Sequence, residues 1–267
     1  MERERLLEIN RLAWNEQVAR GNRWTRPVDS EAIQEARRGN LEIVLTPNRT
    51  VPGHWFPRLS GARTLMLASG GGQQAPLVAA TGAEVTVVDL SDDQLKQDEL
   101  VAARESLRLT TVRSSMDDLS MFPEAAFDLV IQPCSNCFVP DLEPVWREVA
   151  RVTKIGATLL VGFCNPLIYL FDETKANQGV LEVEYALPYS DEKSLSAERV
   201  QELISGGEPL MFGHTLTEQI ALQLRAGFAM VDLYEDDWGE AMREDASDMQ
   251  RLDQFTPSFI ATRSTRI

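Results

Sequence analysis

The chain is predicted to be an α/β protein, a mainly parallel seven-stranded sheet with helices on both faces. Three observations predict it. Short apolar runs alternate with helical segments from residue 64 to residue 163. The first run leads directly into Gly70-Gly71-Gly72. The alternation then ends in two strands joined by a long connection. Parallel neighbours need helical crossovers, so the alternating part gives five parallel βα units. The long connection lets the last strand insert antiparallel.

Each element has its own signal. Residues 2–20 place Leu6, Ile9, Ala13 and Trp14 at helical spacing, and 30–38 form a second helix stopped by Gly39. Turn formers between Thr46 and Pro57 lead to a first strand at 64–68. Residues 73–81 are a helix ended by Gly82; Pro76 is tolerated because it lies in or near the first turn. Residues 84–89 are a strand. Ser91-Asp92-Asp93-Gln94 has the form of a capping box and opens a helix to about Leu107. Residues 109–113 and 127–132 are the third and fourth strands, 141–152 a helix, and 157–163 a fifth strand apolar enough for mid-sheet.

Residues 165–212 break the rhythm with Pro166, Tyr169, Phe171, Tyr185, Pro188, Tyr189 and Pro209, and read as a substrate cap. Thr215-Leu216-Thr217-Glu218 is a second capping box, starting a helix that ends at Gly227. Residues 228–235 are the sixth strand. An acidic stretch around 236–255 precedes the last strand at 258–262.

Composition narrows the function. The chain has 267 residues, 43% of them hydrophobic, which suffices for a substantial core. The net charge of −15 and sequence pI near 4.6 oppose phosphate-backbone binding, which needs clustered Lys and Arg. No apolar run approaches the ~18 residues of a spanning helix. The Met1-Glu2-Arg3-Glu4-Arg5 start is not followed by a secretory apolar region. The expectation is a cytoplasmic protein with no nucleic-acid or membrane partner. Three cysteines, Cys134, Cys137 and Cys164, fit a reducing compartment.

The glycine run carries the chemistry. Without Cβ atoms the backbone can approach a ligand closely. The helix that follows points its first N–H groups at that ligand. Asp89 ends the next strand, where two carboxylate oxygens can accept both ribose hydroxyls. Its distance from the loop is close to the roughly 20 residues of a nucleoside-binding βαβ unit. These residues predict a site for an adenosine-containing cofactor.

The order of elements resembles the class I S-adenosylmethionine-dependent methyltransferases, from about Gly61 to the C-terminus. Ala68-Ser69-Gly70-Gly71-Gly72 stands where that Rossmann-like family has G-x-G-x-G, and Asp89 where it has its ribose acid. Ser115-Met116-Asp117 matches the adenine-holding segment after the third strand. Pro133-Cys134-Ser135-Asn136 matches the segment that faces methyl group and substrate. The ending Phe259-Ile260-Ala261-Thr262-Arg263 is similar to the last strand of the family. Three positions depart from its pattern: Ala68 replaces a glycine, Met66 a first-strand acid, and Ser115 the carboxylate that meets the adenine amino group.

The resemblance implies S-adenosylmethionine as cofactor and a small-molecule methyl acceptor. It implies cofactor contacts from Ala68, Ser69, Gly70, Gly72, Gln73, Asp89, Leu90, Ser115, Met116, Asp117, Pro133 and Trp14. Residues 1–60 become an N-terminal helical lid, 61–164 the cofactor-binding core, 165–212 an inserted cap and 213–267 the rest of the core sheet. An oligomer is compatible with the sequence.

Gly70-x-Gly72-x-x-Ala75 also fits the dinucleotide fingerprint, so an NAD(P)-dependent oxidoreductase is the rival reading. Gln73-Gln74 favours S-adenosylmethionine, because amides suit an amino-acid tail and a pyrophosphate wants bare N–H groups. A non-catalytic nucleoside-binding subunit is the third reading, marked by Met66, Ala68 and Ser115.

Methyl transfer from a sulfonium needs a positioned nucleophile and little else, so no catalytic residue is named. His214, before the helix that follows the cap, and His54, in the Pro52-Gly53-His54-Trp55 turn, are the only histidines. Each competes with a plain structural hydrogen bond. Asn136 suits substrate orientation or a simple turn. The cysteines read as small buried side chains at strand ends, since a zinc site needs about four ligands, and no metal is expected. Trp14, Trp24, Trp55, Tyr169, Tyr185 and Tyr189 supply aromatic surface to lid and cap, for packing or for boxing a sulfonium.

Overall fold

The structure is a computed structural model that describes residues 1–176, 178–239 and 252–267. The N-terminal segment holds α1 (Arg3–Ala19) and α2 (Ser30–Arg37). The alternating region holds β1 (Arg63–Leu67), α3 (Gln74–Ala80), β2 (Glu84–Asp89), α4 (Asp92–Glu105), β3 (Leu109–Arg113), β4 (Phe127–Gln132), α5 (Glu143–Val152) and β5 (Thr153–Cys164). Short elements follow: α6 (Glu173–Ala176), β6 (Tyr189–Ser190), α7 (Asp191–Ser194), α8 (Ala197–Ser205) and β7 (Phe212–Gly213). A π turn at Thr217–Ala221 runs into α9 (Leu222–Arg225), then β8 (Phe228–Asp236) and β9 (Phe259–Arg266).

The main sheet has the order β3-β2-β1-β4-β5-β9-β8. Strands β1 to β5 pair in parallel. β9 pairs antiparallel with β5 on one side and β8 on the other. The seven-stranded sheet with an inserted antiparallel last strand therefore stands. β6 and β7 form a separate two-stranded ribbon. The acidic stretch around 236–255 lies partly outside the described residues, at 240–251.

Both faces of the sheet are buried, as continuous apolar strands require. Successive side chains on β1 serve opposite faces. Met66 joins Val87, Leu129, Ile131 and Leu160 under α2, α3 and α4. Leu65 and Leu67 join Val130, Leu159, Val161 and Trp146 on the α5 side.

Local chemistry sets the ends of the helices. Ser91 Oγ accepts from the Gln94 N–H at 3.1 Å and caps α4. At the other box, Thr215 N–H donates to Glu218 Oε2 at 2.8 Å while Glu218 N–H donates to Thr215 Oγ1 at 3.3 Å. The helix expected from the box to Gly227 is present, its first part (Thr217–Ala221) wound as a π turn that continues into α9. Buried Gln219 and Gln223 bond inward there, with Gln223 Nε2 donating to Gln219 O at 2.7 Å.

α1 lies across the carboxyl ends of the strands and is tied from both sides. Asn15 Oδ1 accepts from Ser91 Oγ at 2.7 Å, and Arg11 pairs with Asp92 at 2.6 Å. Buried Asn10 reaches the other way, to Phe138 O and to both backbone groups of Leu210.

Candidate active site

A cavity of about 330 Å³ opens at the carboxyl ends of β1, β2, β4 and β5, under α1. This is where open α/β sheets bind ligands, beside the point at which strand order reverses between β1 and β4. Ten of the twelve residues expected to contact cofactor lie in its wall: Ala68, Ser69, Gly70, Gln73, Asp89, Leu90, Ser115, Met116, Pro133 and Trp14.

The glycine loop is held from behind. Ala68 N–H donates to Val88 O at 2.7 Å, and Gly70 N–H donates to Asp89 Oδ2 at 2.9 Å. A Cβ on Gly70 would lie 2.7 Å from Gln94 Cβ and 3.1 Å from Asp89 Oδ2, so only glycine fits. Asp89 Oδ1 also accepts from Ser91 N–H at 2.9 Å. Both carboxylate oxygens are thus engaged by backbone donors. Each oxygen still has a second lone pair for a diol. Burial raises the pKa of Asp89, and the donated N–H groups of Ser91, Gly70 and Leu90 offset part of that rise.

Two polar atoms in the wall want a partner. Ser69 Oγ and Gln94 Oε1 are buried and have no hydrogen-bond partner among the described residues. Buried polar atoms are normally paired, so both point to a polar ligand. Together with the glycine cradle and Asp89, they fit an adenosyl amino acid.

Two expected contacts do not reach the cavity. Gly72 (φ +71°) turns toward α4, where a Cβ would meet Gln97 O at 2.8 Å, and its carbonyl accepts from Val28 N–H at 2.9 Å. It serves loop-to-helix packing. Asp117 turns to α1 and pairs with Arg3 at 2.8 Å. Gln73 and Gln74 line the cavity, but their amides are engaged in ties. Gln73 Nε2 donates to Arg23 O and Arg26 O at 2.7 and 3.0 Å, and Gln74 Oε1 accepts from Val44 N–H at 3.0 Å.

Neither histidine lines the cavity. His214 Nε2 lies 3.1 Å from Asn136 O and 2.9 Å from Val139 O, so it carries the hydrogen and donates to carbonyls. Burial lowers its pKa. His54 is exposed and faces Asp232. Asn136 is buried between Gln132 and Gln219, accepting from one at 2.6 Å and donating to the other at 2.7 Å. It holds the turn that carries Cys137, Phe138 and Val139 into the wall.

Trp14 meets Phe138 edge-on at 5.1 Å in the wall, and Trp24 lines it too. Trp55 is buried on Asp232 and Tyr234 instead. Tyr169 and Tyr185 pack on Tyr189 outside the lining. Sequence reasoning missed Gln94, whose capping-box position concealed a side chain aimed at the loop. It also missed Leu45, Thr46, Met211, Trp238 and Phe259, which long-range folding alone brings together.

Comparison with known proteins agrees with this geometry. Residues 65–161 match the family described as a methyltransferase domain. The chain is 44% identical over 262 residues to the uncharacterized methyltransferase YbaJ of Bacillus subtilis, covering 98% of this chain and 99% of that one. The chain belongs to the class I S-adenosylmethionine-dependent methyltransferases. S-adenosylmethionine is accordingly its cofactor, and methyl transfer its chemistry. The fold is also that of a 1,6-didemethyltoxoflavin-N1-methyltransferase of Burkholderia thailandensis, solved with bound 1,6-didemethyltoxoflavin and S-adenosylhomocysteine (TM-score 0.60, 15% identity, 100% of this chain and 91% of that one). A putative S-adenosylmethionine-dependent methyltransferase of Listeria monocytogenes is similar as well (TM-score 0.61, 15% identity, 80% and 94% covered).

Proposed function

We propose that this methyltransferase acts on a small, uncharged, largely apolar molecule. The carrying observation is the charge of the wall. Among the described residues lining the cavity, Asp89 is the one charged side chain, and no Lys, Arg or His lines it. A carboxylate or phosphate on the acceptor would lose its water there without a cation in return, which costs several kcal/mol.

The two ends of the cavity divide the work. Asp89, Leu90, Ser115 and Met116 form the adenosine end, with Ser69, Gly70 and Gln94 beside the loop for the amino-acid tail. Leu45, Pro47, Phe138, Met211, Trp238 and Phe259 form the acceptor end, beyond Pro133 and Cys134. Thr46, the main hydroxyl there, is already engaged with Asp236 at 2.6 Å. The chain positions the nucleophile ~3–3.5 Å from the methyl carbon and excludes water, and the sulfonium charge disappears along the path. Trp14 offers its ring to that charge. α1 acts as lid and residues 165–212 as cap. The small-molecule substrate named for the Burkholderia relative of like fold supports the reading, and the acidic surface makes nucleic acid a poor substrate.

The test is transfer of radiolabelled methyl from S-adenosylmethionine to a panel of neutral aromatic phenols, thiols and amines, each beside its carboxylated counterpart. Neutral members are expected to be methylated and the carboxylated ones to lose at least about tenfold in rate. Equal or better transfer to the carboxylated members overturns the proposal.

A further inference from the structure

Three thiols converge on the acceptor end of the cavity. Cys134, two residues beyond β4, and Cys164, the last residue of β5, place their sulfurs 3.4 Å apart. Cys137 lines the same wall, and all three cysteines are free. Nothing in the methyl transfer derived above uses them.

We propose that Cys134 and Cys164 form a reversible disulfide that closes the acceptor end while leaving the adenosine end intact. A disulfide needs its sulfurs at about 2.05 Å and neighbouring Cα atoms, a demand met by adjacent parallel strand ends. The sulfurs therefore have to close little more than an ångström, within reach of side-chain rotation. Cys134 and Cys164 both line the cavity, so a small oxidant reaches either sulfur by the same route as the substrate.

The thiols are not equivalent. Hydrogen bonds from Cys134 and then Cys137 hold the Cys164 pKa below the ordinary thiol value. The interaction with Cys137, then that with Cys164, and burial raise the pKa of Cys134. Cys164 is thus the thiolate that attacks and Cys134 the thiol that resolves. With a hydroperoxide as oxidant, the Cys164 sulfur attacks the O–O bond and becomes a sulfenic acid, releasing an alcohol or water. Cys134 sulfur then displaces that hydroxyl as water and the S–S bond forms. In sum two thiols lose two hydrogens and two electrons, and one peroxide bond is reduced.

The experiment treats the full chain with stoichiometric hydrogen peroxide, blocks remaining thiols with iodoacetamide under denaturing conditions, and maps peptides by mass spectrometry. The expected result is loss of two hydrogen masses, a Cys134–Cys164 peptide pair, an alkylated Cys137, and reversal by dithiothreitol. Alkylation of all three thiols, or a bridge that uses Cys137 or joins two chains, overturns the proposal. Calorimetry with S-adenosylhomocysteine should give the oxidised chain the affinity of the reduced one within about threefold. A larger loss overturns the placement of the bridge at the acceptor end. That placement rests on the proposed division of the cavity. Failure of the reduced chain to bind S-adenosylhomocysteine would instead sink that division, and the peptide map would still decide the disulfide.

Discussion

Ala68 stands at the first position of the glycine motif with φ +46°, in the left-handed region that costs an L side chain about 1–2 kcal/mol. Glycine would remove that cost and lose about 0.5–1 kcal/mol of it again through the freer unfolded chain. Ala68→Gly is therefore expected to raise unfolding free energy by about 0.5–1 kcal/mol in urea titrations, with S-adenosylhomocysteine affinity unchanged. Asp89 gives a pH prediction. Its pKa is raised by burial, and only the carboxylate accepts from both ribose hydroxyls. Affinity for S-adenosylhomocysteine should thus fall as pH drops through that raised pKa, beginning above the ordinary Asp value of about 3.9. Asp89→Asn should flatten the profile and weaken binding at pH 7 by about 1.5 kcal/mol or more, read by calorimetry. At this scale the sequence was informative where a residue type has one main use at that position, as for Gly70 and Asp89. Gly72, Asp117 and His214 show what it leaves open, since none of them lines the cavity. A glycine, an acid and a histidine each have structural uses that differ only in where the side chain points.

At the scale of elements, strand and helix positions were legible because apolar periodicity and capping chemistry are local. β2, β3 and β4 begin and end where the sequence places them. The helix expected from 215 is also present, with a π turn at Thr217–Ala221 that no capping or periodicity signal announces. What no local signal shows is how α1 is fixed over the cavity. Asn10 is 2% exposed and satisfies three backbone groups at once: Nδ2 donates to Phe138 O and Leu210 O at 3.1 Å each, and Oδ1 accepts from Leu210 N–H at 2.8 Å. In the sequence it is one polar residue in an amphipathic helix. Asn10→Ala leaves those groups buried and unpaired, at a cost of about 2–3 kcal/mol. The expected outcome is a matching loss in chemical denaturation and a faster S-adenosylhomocysteine dissociation rate in stopped-flow. A loss below about 0.5 kcal/mol would show that water reaches those groups freely.

Across the whole molecule, the last strand in sequence is not the last in space. β9 sits between β5 and β8, hydrogen-bonded on both sides. Its buried residues Ala261, Thr262 and Ser264 lie in the sheet, and Phe259 lines the cavity together with Cys164. The long connection before it was readable as a sign of insertion, whereas the contribution of Phe259 to the site required the register Cys164↔Phe259. Deletion of residues 258–267 would leave two facing strand edges unpaired, at β5 and at β8. β8 would then have no partner in the sheet, and Phe228 and Tyr234 would lose their cover. Unpaired edges template aggregation, and the lost pairing and cover draw on a total stability of only about 5–15 kcal/mol. The truncated chain is therefore expected to show no cooperative thermal transition by calorimetry and to bind a hydrophobic dye. A cooperative transition retaining S-adenosylhomocysteine binding would mean that β1–β5 and their helices fold as a unit without the inserted strand.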